Sequence, residues 1–266
     1  MPRFGEQRLA LSNTYAPERL LFLAMGIADP AHYLHSRYFL RALAQLGDSQ
    51  PRAILDAGCG RGDYAFYLAR RFPNAQVFAV DIDEARIERN RRMALRLALD
   101  NITFAVADLV TIRFPRPFDL IVSIDVLEHI SQQEQALRNL ADQLTPEGRV
   151  FYHIPTVRER PVPFSGRLKG FHEWAEKEHL AEERSASDFL DLMGRTGYEV
   201  TRSQRTFGYY TGELATSLFN MPYENTLANK LVQAMLSPLC RALALADEMG
   251  WERTRYAISA EAKLAG

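Results

Sequence analysis

From position 52 onward the chain alternates short apolar runs with longer amphipathic segments, a pattern that few folds accept. The apolar runs are 53–57, 77–80, 102–107, 118–124 and 150–154. Between them, 64–71, 84–99 and 132–144 repeat their apolar residues at helical spacing. A strand that is apolar at nearly every position is buried on both faces, and such strands joined by helices make a parallel sheet covered on either side. A doubly wound α/β core is therefore expected. Asp83 is placed to cap the helix at 84–99, and Ser131 with Glu134 stand at capping-box spacing before Leu137, Leu140, Ala141 and Leu144.

The flanks read differently. Segment 33–46 spaces Leu34, Tyr38, Leu40, Leu43 and Leu46 as a helix does, and Gly47 and Pro51 stop it. The alternation lapses over 155–184, resumes with a capped helix at 185–195 and an extended run at 198–205, and lapses again into an apolar helical stretch broken at Pro238. Residues 256–264 alternate, with Tyr256, Ile258 and Ala260 on one face. The expected organisation is a helical cap at 1–50, a core at 51–208 with a loop insertion at 155–184, a helical insertion or lid at 209–255, and a last core strand at 256–266.

Charge narrows the partners. With 32 Lys and Arg against 33 Asp and Glu, the net charge is −1, so no basic excess exists to neutralise a phosphate backbone, and no nucleic-acid partner is expected. The arginines at 86, 89, 91, 92 and 96 alternate with Glu84 and Glu88 and read as a solvated helix face. Cys59 and Cys240 are too few for a disulfide framework. The apolar stretch at 20–28 falls well short of the roughly 20 residues that span a bilayer, so no transmembrane segment and a cytoplasmic location are expected.

The densest chemical signal is Asp56-Ala57-Gly58-Cys59-Gly60-Arg61-Gly62-Asp63, where a strand runs through a glycine-rich turn into a helix. Such a turn lets a ligand approach the backbone at a helix N-terminus; its alternative use is tight strand-to-helix packing. A dinucleotide fingerprint would place its third glycine at position 63, but the residue there is Asp63, which would oppose a pyrophosphate. Asp81 closes the second strand, where a carboxylate can take the hydroxyls of a ribose. Asp108 closes the third, within reach of an adenine edge. Each of these two acids could instead cap the next turn or helix of the chain.

Taken in order, LDAGCGRG, VFAVDID, VADL, FDLIVSIDVLEHI and LTPEGRVFYHIP resemble the motifs of class I S-adenosylmethionine-dependent methyltransferases, in particular the small-molecule subgroup resembling ubiquinone-biosynthesis enzymes. The resemblance covers about 52–208. It implies S-adenosyl-L-methionine as cofactor, S-adenosyl-L-homocysteine as product, and a Rossmann-like sheet of seven strands with the last antiparallel. It also implies that Asp56, Gly58, Cys59 and Gly60 shape the methionine pocket and that Asp81 binds the ribose. Ile82 would pack on the adenine, Asp108 and Leu109 would hold its edge, and Ile124 with Asp125 would line the floor beside the sulfonium.

Methyl transfer needs an acceptor held in line and relieved of its proton. His129 is the first choice of base by position, and the family pattern makes His179 the second. His153 and His172 are further candidates. Asp125, Glu128 and His129 would share a helical face suited to a divalent metal; plain helix N-terminal acids are the simpler reading, and no metal is expected. The expected reaction is methylation of a small, partly apolar acceptor, on oxygen by slight preference. The alternatives are RNA or protein methylation, or a non-catalytic cofactor-binding protein of the same fold.

Overall fold

The computed structural model describes residues 4–10, 22, 30–47, 50–157, 184–207, 235, 238–239, 242–246 and 257–266. The loop insertion expected at 155–184 and the helical insertion expected at 209–255 lie largely outside the described residues, as do His172 and His179.

The described elements follow the expected alternation. They are α1 (Pro30–Ala44), β1 (Ala53–Ala57), α2 (Asp63–Arg71), β2 (Gln76–Asp81), α3 (Glu84–Arg96), β3 (Ile102–Val106), β4 (Phe118–Ile124), α4 (Gln133–Ala141), β5 (Leu144–Pro155), α5 (Ala186–Arg195), β6 (Tyr198–Thr206) and β7 (Ala257–Leu264). They form one seven-stranded sheet in the order β3-β2-β1-β4-β5-β7-β6. Strands β1 to β5 run parallel, and β7 is antiparallel to both of its neighbours. This is the mostly parallel, doubly wound sheet expected from the sequence.

Strand pleating sorts the core into two layers. Ile54, Val77, Phe104, Leu120, Val122 and Phe151 pack with Phe39 of α1, Phe66 and Leu68 of α2 and Ile87 of α3. On the other face Leu55, Val80, Ile121 and Tyr152 pack with Leu137 and Leu140 of α4 and Phe189 and Leu192 of α5. His153 follows the pleat of Phe151, so its ring stands on the α1 face. On β7, Ile258, Ala260 and Ala262 are buried on the α4 and α5 face; on the other face Ala257 and Ser259 are buried, Glu261 is half-buried and Lys263 is exposed. Strand β7 lies between β5 and β6, so both of its edges are paired.

Helix starts test the capping readings. Asp83 caps α3, accepting the Arg86 N–H, and Ser185 forms a capping box with Asp188 at α5. The box expected at Ser131 and Glu134 is not made. Helix α4 starts instead from Gln132; the next side chain, Gln133, donates to the Leu127 carbonyl and accepts from Arg184, while Glu134 pairs with Arg138 at 2.8 Å. The residues expected as the C-terminal turn of that helix belong in part to β5, which begins at Leu144.

Buried amides tie the loop after β3 to α4. Asn139, with no solvent exposure, donates to the carbonyls of Leu109 and Ile112 at 2.8 Å each, and Gln143 accepts the Phe114 N–H. Asn139→Ala would strand the Leu109 carbonyl, while that of Ile112 keeps a donor in Gln143 at 3.1 Å, at a cost of about 1–3 kcal/mol. Urea unfolding with an unchanged m-value checks this; a loss below about 0.5 kcal/mol would be typical of a surface site and would contradict it.

Candidate active site

The turn between β1 and α2 depends on backbone shapes that side chains resist. Gly58, Gly60 and Gly62 have φ of 85°, 48° and 79°. A Cβ on Gly58 would sit 2.4 Å from Cγ1 of Val126, and one on Gly62 would sit 2.9 Å from the Phe66 ring. Gly60 faces open space instead.

The amides of this turn are engaged internally. Gly58 and Cys59 both donate to the Val80 carbonyl, at 2.9 and 2.8 Å, and Gly62 donates to Cys59. Gly60 donates to Oδ2 of Asp81 at 2.8 Å, and Oδ1 of the same carboxylate accepts the Asp83 N–H at 3.0 Å. At the start of α2 the Ala65 N–H serves Asp56, and Asp63 accepts from Gln7. A phosphate cradle needs convergent free amides, and here Asp56 already takes the Ala65 N–H at the helix start and Asp81 takes that of Gly60. Asp81 is thereby held rigidly across the turn.

Several acids gather at this edge. Asp56 is buried, and its Oδ2 has no hydrogen-bond partner among the described residues. Burial, opposed by the Ala65 N–H and aided by the charges of Asp81 and Asp63, pushes its carboxyl up to about 8. Glu128 is also buried, with Oε2 similarly unmet. Burial, together with the charge of Asp125, holds its carboxyl well above the ordinary carboxylate range. Each of these two groups is an acid waiting for a positive neighbour.

The other residues singled out from the sequence fall into two groups. Ile82, 74% exposed, projects just past Asp81, and Ile124 is half-buried on the α1 face. Asp108 is exposed and accepts the Val110 N–H through Oδ1, so it does cap the turn after it. Leu109 points into the core on the α4 face, and Cys59 points into the opposite core layer beside Asn90. Burial pushes the Cys59 thiol up and keeps it inert.

Beyond β4 the chain makes a 3-10 turn, Leu127–His129, rather than the α-helical turn that would align Asp125, Glu128 and His129. His129 lies 4.0 Å from Oε1 of Glu128. Asp125 adopts a left-handed φ of 55° and meets His153 of β5, with Oδ1 2.6 Å from Nδ1. No group of three His, Cys, Asp or Glu side chains among the described residues stands close enough to hold a metal. His153 is 3% exposed, and its Nε2 lies 2.9 Å from Oγ1 of Thr206. Tyr38 of α1 stacks on the ring, and Phe207 meets it edge-on. His153, a further candidate from the sequence, lies near the end of β5 in register with Ile124, the last residue of β4.

Comparison with known proteins agrees with this geometry. Residues 54–148 match the family model of a methyltransferase domain. An uncharacterised methyltransferase of Mycobacterium tuberculosis is 39% identical over 129 residues, covering 47% of this chain and 61% of that protein. The (S)-coclaurine N-methyltransferase of Thalictrum flavum is 29% identical over 108 residues, 41% of this chain and 29% of that one. The chain thus spans between about a third and three-fifths of the length of these curated relatives. Among solved structures, geranyl diphosphate C-methyltransferase from Streptomyces coelicolor superposes with a TM-score of 0.63 at 16% identity, over 97% of this chain and 87% of that one. Residues 54–148 thus carry a methyltransferase domain, and the strand order, with the glycine turn leading to Asp81, is that of the class I S-adenosylmethionine-dependent methyltransferase fold.

Proposed function

We propose that the protein binds S-adenosyl-L-methionine along the carboxyl edge of β1, β2 and β4 and transfers its methyl group to a small, partly apolar acceptor. The observation that carries this reading is the Asp81 carboxylate, held between the Gly60 and Asp83 amides beside an open Gly60. Ligands of open α/β sheets lie outside the carboxyl ends where the strand order reverses, here between β1 and β4. Asp81 is placed to receive the ribose hydroxyls, and the exposed face of Ile82 offers apolar cover to the base. The unmet oxygen of Asp56 suits the cofactor's ammonium.

When bound, the cofactor supplies a methyl group already activated on a sulfonium. The chain's task is then to hold the acceptor in line, exclude water and take up a proton. A site rich in carboxylates with its turn amides engaged favours a cationic ligand over a phosphorylated one. The curated relatives include N- and O-methyltransferases alike, so transfer must be read directly. Tritiated methyl from the cofactor is expected in the small-molecule fraction of a metabolite extract rather than in an RNA fraction. Incorporation into RNA alone would reverse the acceptor assignment, and incorporation into neither would leave a cofactor-binding protein.

Two variants test the cofactor site. Asp81→Asn keeps the shape but loses the charge, and should weaken S-adenosyl-L-homocysteine by about tenfold to a hundredfold in calorimetry. Unchanged affinity would remove Asp81 from the site. Asp56 gives a pH signature. Its folded-state pKa lies above the unfolded value, so the folded chain keeps a proton that the unfolded chain releases, and stability contributed by the neutral carboxyl is lost as pH rises from about 4 toward 8. Ligand-free Asp56→Asn should therefore gain several degrees in Tm over the parent at pH 8 and little at pH 4. A difference independent of pH would contradict this.

A further inference from the structure

Asp125 and His153 form a unit that cofactor binding does not require. If the ribose lies on Asp81 of β2, the transferable methyl falls toward β4, and the acceptor must approach from beyond it, over β4 and β5. Asp125 stands at that border. Its side chain is 31% exposed, while Asp56 and Glu128 beside it are buried. Its left-handed backbone turns the carboxylate across to β5, where Oδ1 meets Nδ1 of His153 at 2.6 Å. The Tyr64 phenol of α2 and the Glu128 carboxyl are both close enough to feel its charge.

The chemistry of the chain of contacts is determined by what each atom can do. An ionised carboxylate only accepts, so a neutral His153 must present Nδ1–H to Asp125; Nε2 then accepts, and the Thr206 hydroxyl donates to it. The His153 ring packs against Tyr38 and Phe207, which also meet each other. It is fully engaged and nearly sealed from solvent, so it is poorly placed to reach an acceptor itself. The carboxylate it holds is not sealed.

Resting on the methyl-transfer reading above, we infer that Asp125 is the proton acceptor for the methyl acceptor, and that His153 is a positioning residue that aims it. In the step, the acceptor's X–H bond breaks and its proton passes to the Asp125 carboxylate. The freed pair on X closes on the methyl carbon while the carbon–sulfur pair returns to sulfur, leaving a neutral thioether. The protonated Asp125 then loses its proton to water. The acceptor class is one whose X–H carries a removable proton, an amine or a hydroxyl, rather than an unactivated carbon.

The test needs no knowledge of the acceptor. Sinefungin carries an amine where the cofactor carries its methyl, and so presents a proton-bearing cation at the transfer position; S-adenosyl-L-homocysteine has nothing there. By calorimetry the parent should bind sinefungin about tenfold or more tightly than S-adenosyl-L-homocysteine. In Asp125→Asn the two should bind within about twofold of each other. His153→Phe should shrink the preference, and His153→Asn, which restores a donor near Nδ1, should recover it. A preference that survives Asp125→Asn, or is missing in the parent, overturns the inference. Binding of neither ligand to the parent would instead overturn the cofactor reading on which it rests. Should His153→Phe fail to fold, Asp125→Asn and His153→Asn still decide.

Discussion

The approach of Val126 to Gly58 is the contact on which the site's geometry depends. It joins the turn after β1 to the exit of β4 at a separation no Cβ would permit, and the Ser123 hydroxyl, donating to the Ala57 carbonyl at 2.8 Å, binds the two strand ends just below it. With the strands drawn together there, the residue between Ser123 and Val126 that must turn is Asp125, and it takes a backbone conformation uncommon outside glycine, asparagine and aspartate. The strained residue is also the one presented at the border between cofactor and acceptor, as strained residues at functional sites often are.

Around that contact the protein assembles negative charge and sets it to different uses. Asp81 accepts from two amides and acts as a fixed fork. Asp56 and Glu128 are held neutral by burial and cost little until a cation arrives, whereas Asp125 is shared with a histidine. One functional group, the carboxyl, in four surroundings supplies orientation, latent charge and, on the reading proposed above, a base, which a set of four equally exposed acids could not. The near-zero net charge of the chain hides this local excess, because the arginines of α3 lie on a solvated face and pair with acids there, as Arg92 does with Glu88 and Arg86 with Asp83.

How much was legible in the sequence depends on how local each feature is. Apolar runs buried on both faces announce a parallel sheet, and a carboxylate at the end of β2 needs only its own strand to be placed; both were readable. The capping box at Ser131 had the right spacing but lost to Gln133, whose partners Leu127 and Arg184 are set by tertiary packing. The helical alignment of Asp125, Glu128 and His129 failed for a similar reason: it presumed a helix where the contact of Asp125 with His153, 28 residues onward, accompanies a different turn. The insertion of β7 between β5 and β6 is a topological fact with no local signature. Features built from neighbours in sequence were visible, and those built from neighbours in space were not.

The position of β7 bears on how the molecule is made. His153 reaches Thr206 across the last strand, over the small side chains of Ala257 and Ser259 that stand in register between them. Strands β5 and β6 are synthesised first but have no ladder of their own to share, and synthesis from the N-terminus delivers β7 only at the end. Until then the nucleoside side of the sheet, β1 to β4, can already be ordered, while the histidine beside Asp125 still lacks its hydroxyl partner. On the proposed assignment, the side that would hold the methyl donor needs no strand beyond β5, whereas the side that would face the acceptor is complete only once β7 is in place.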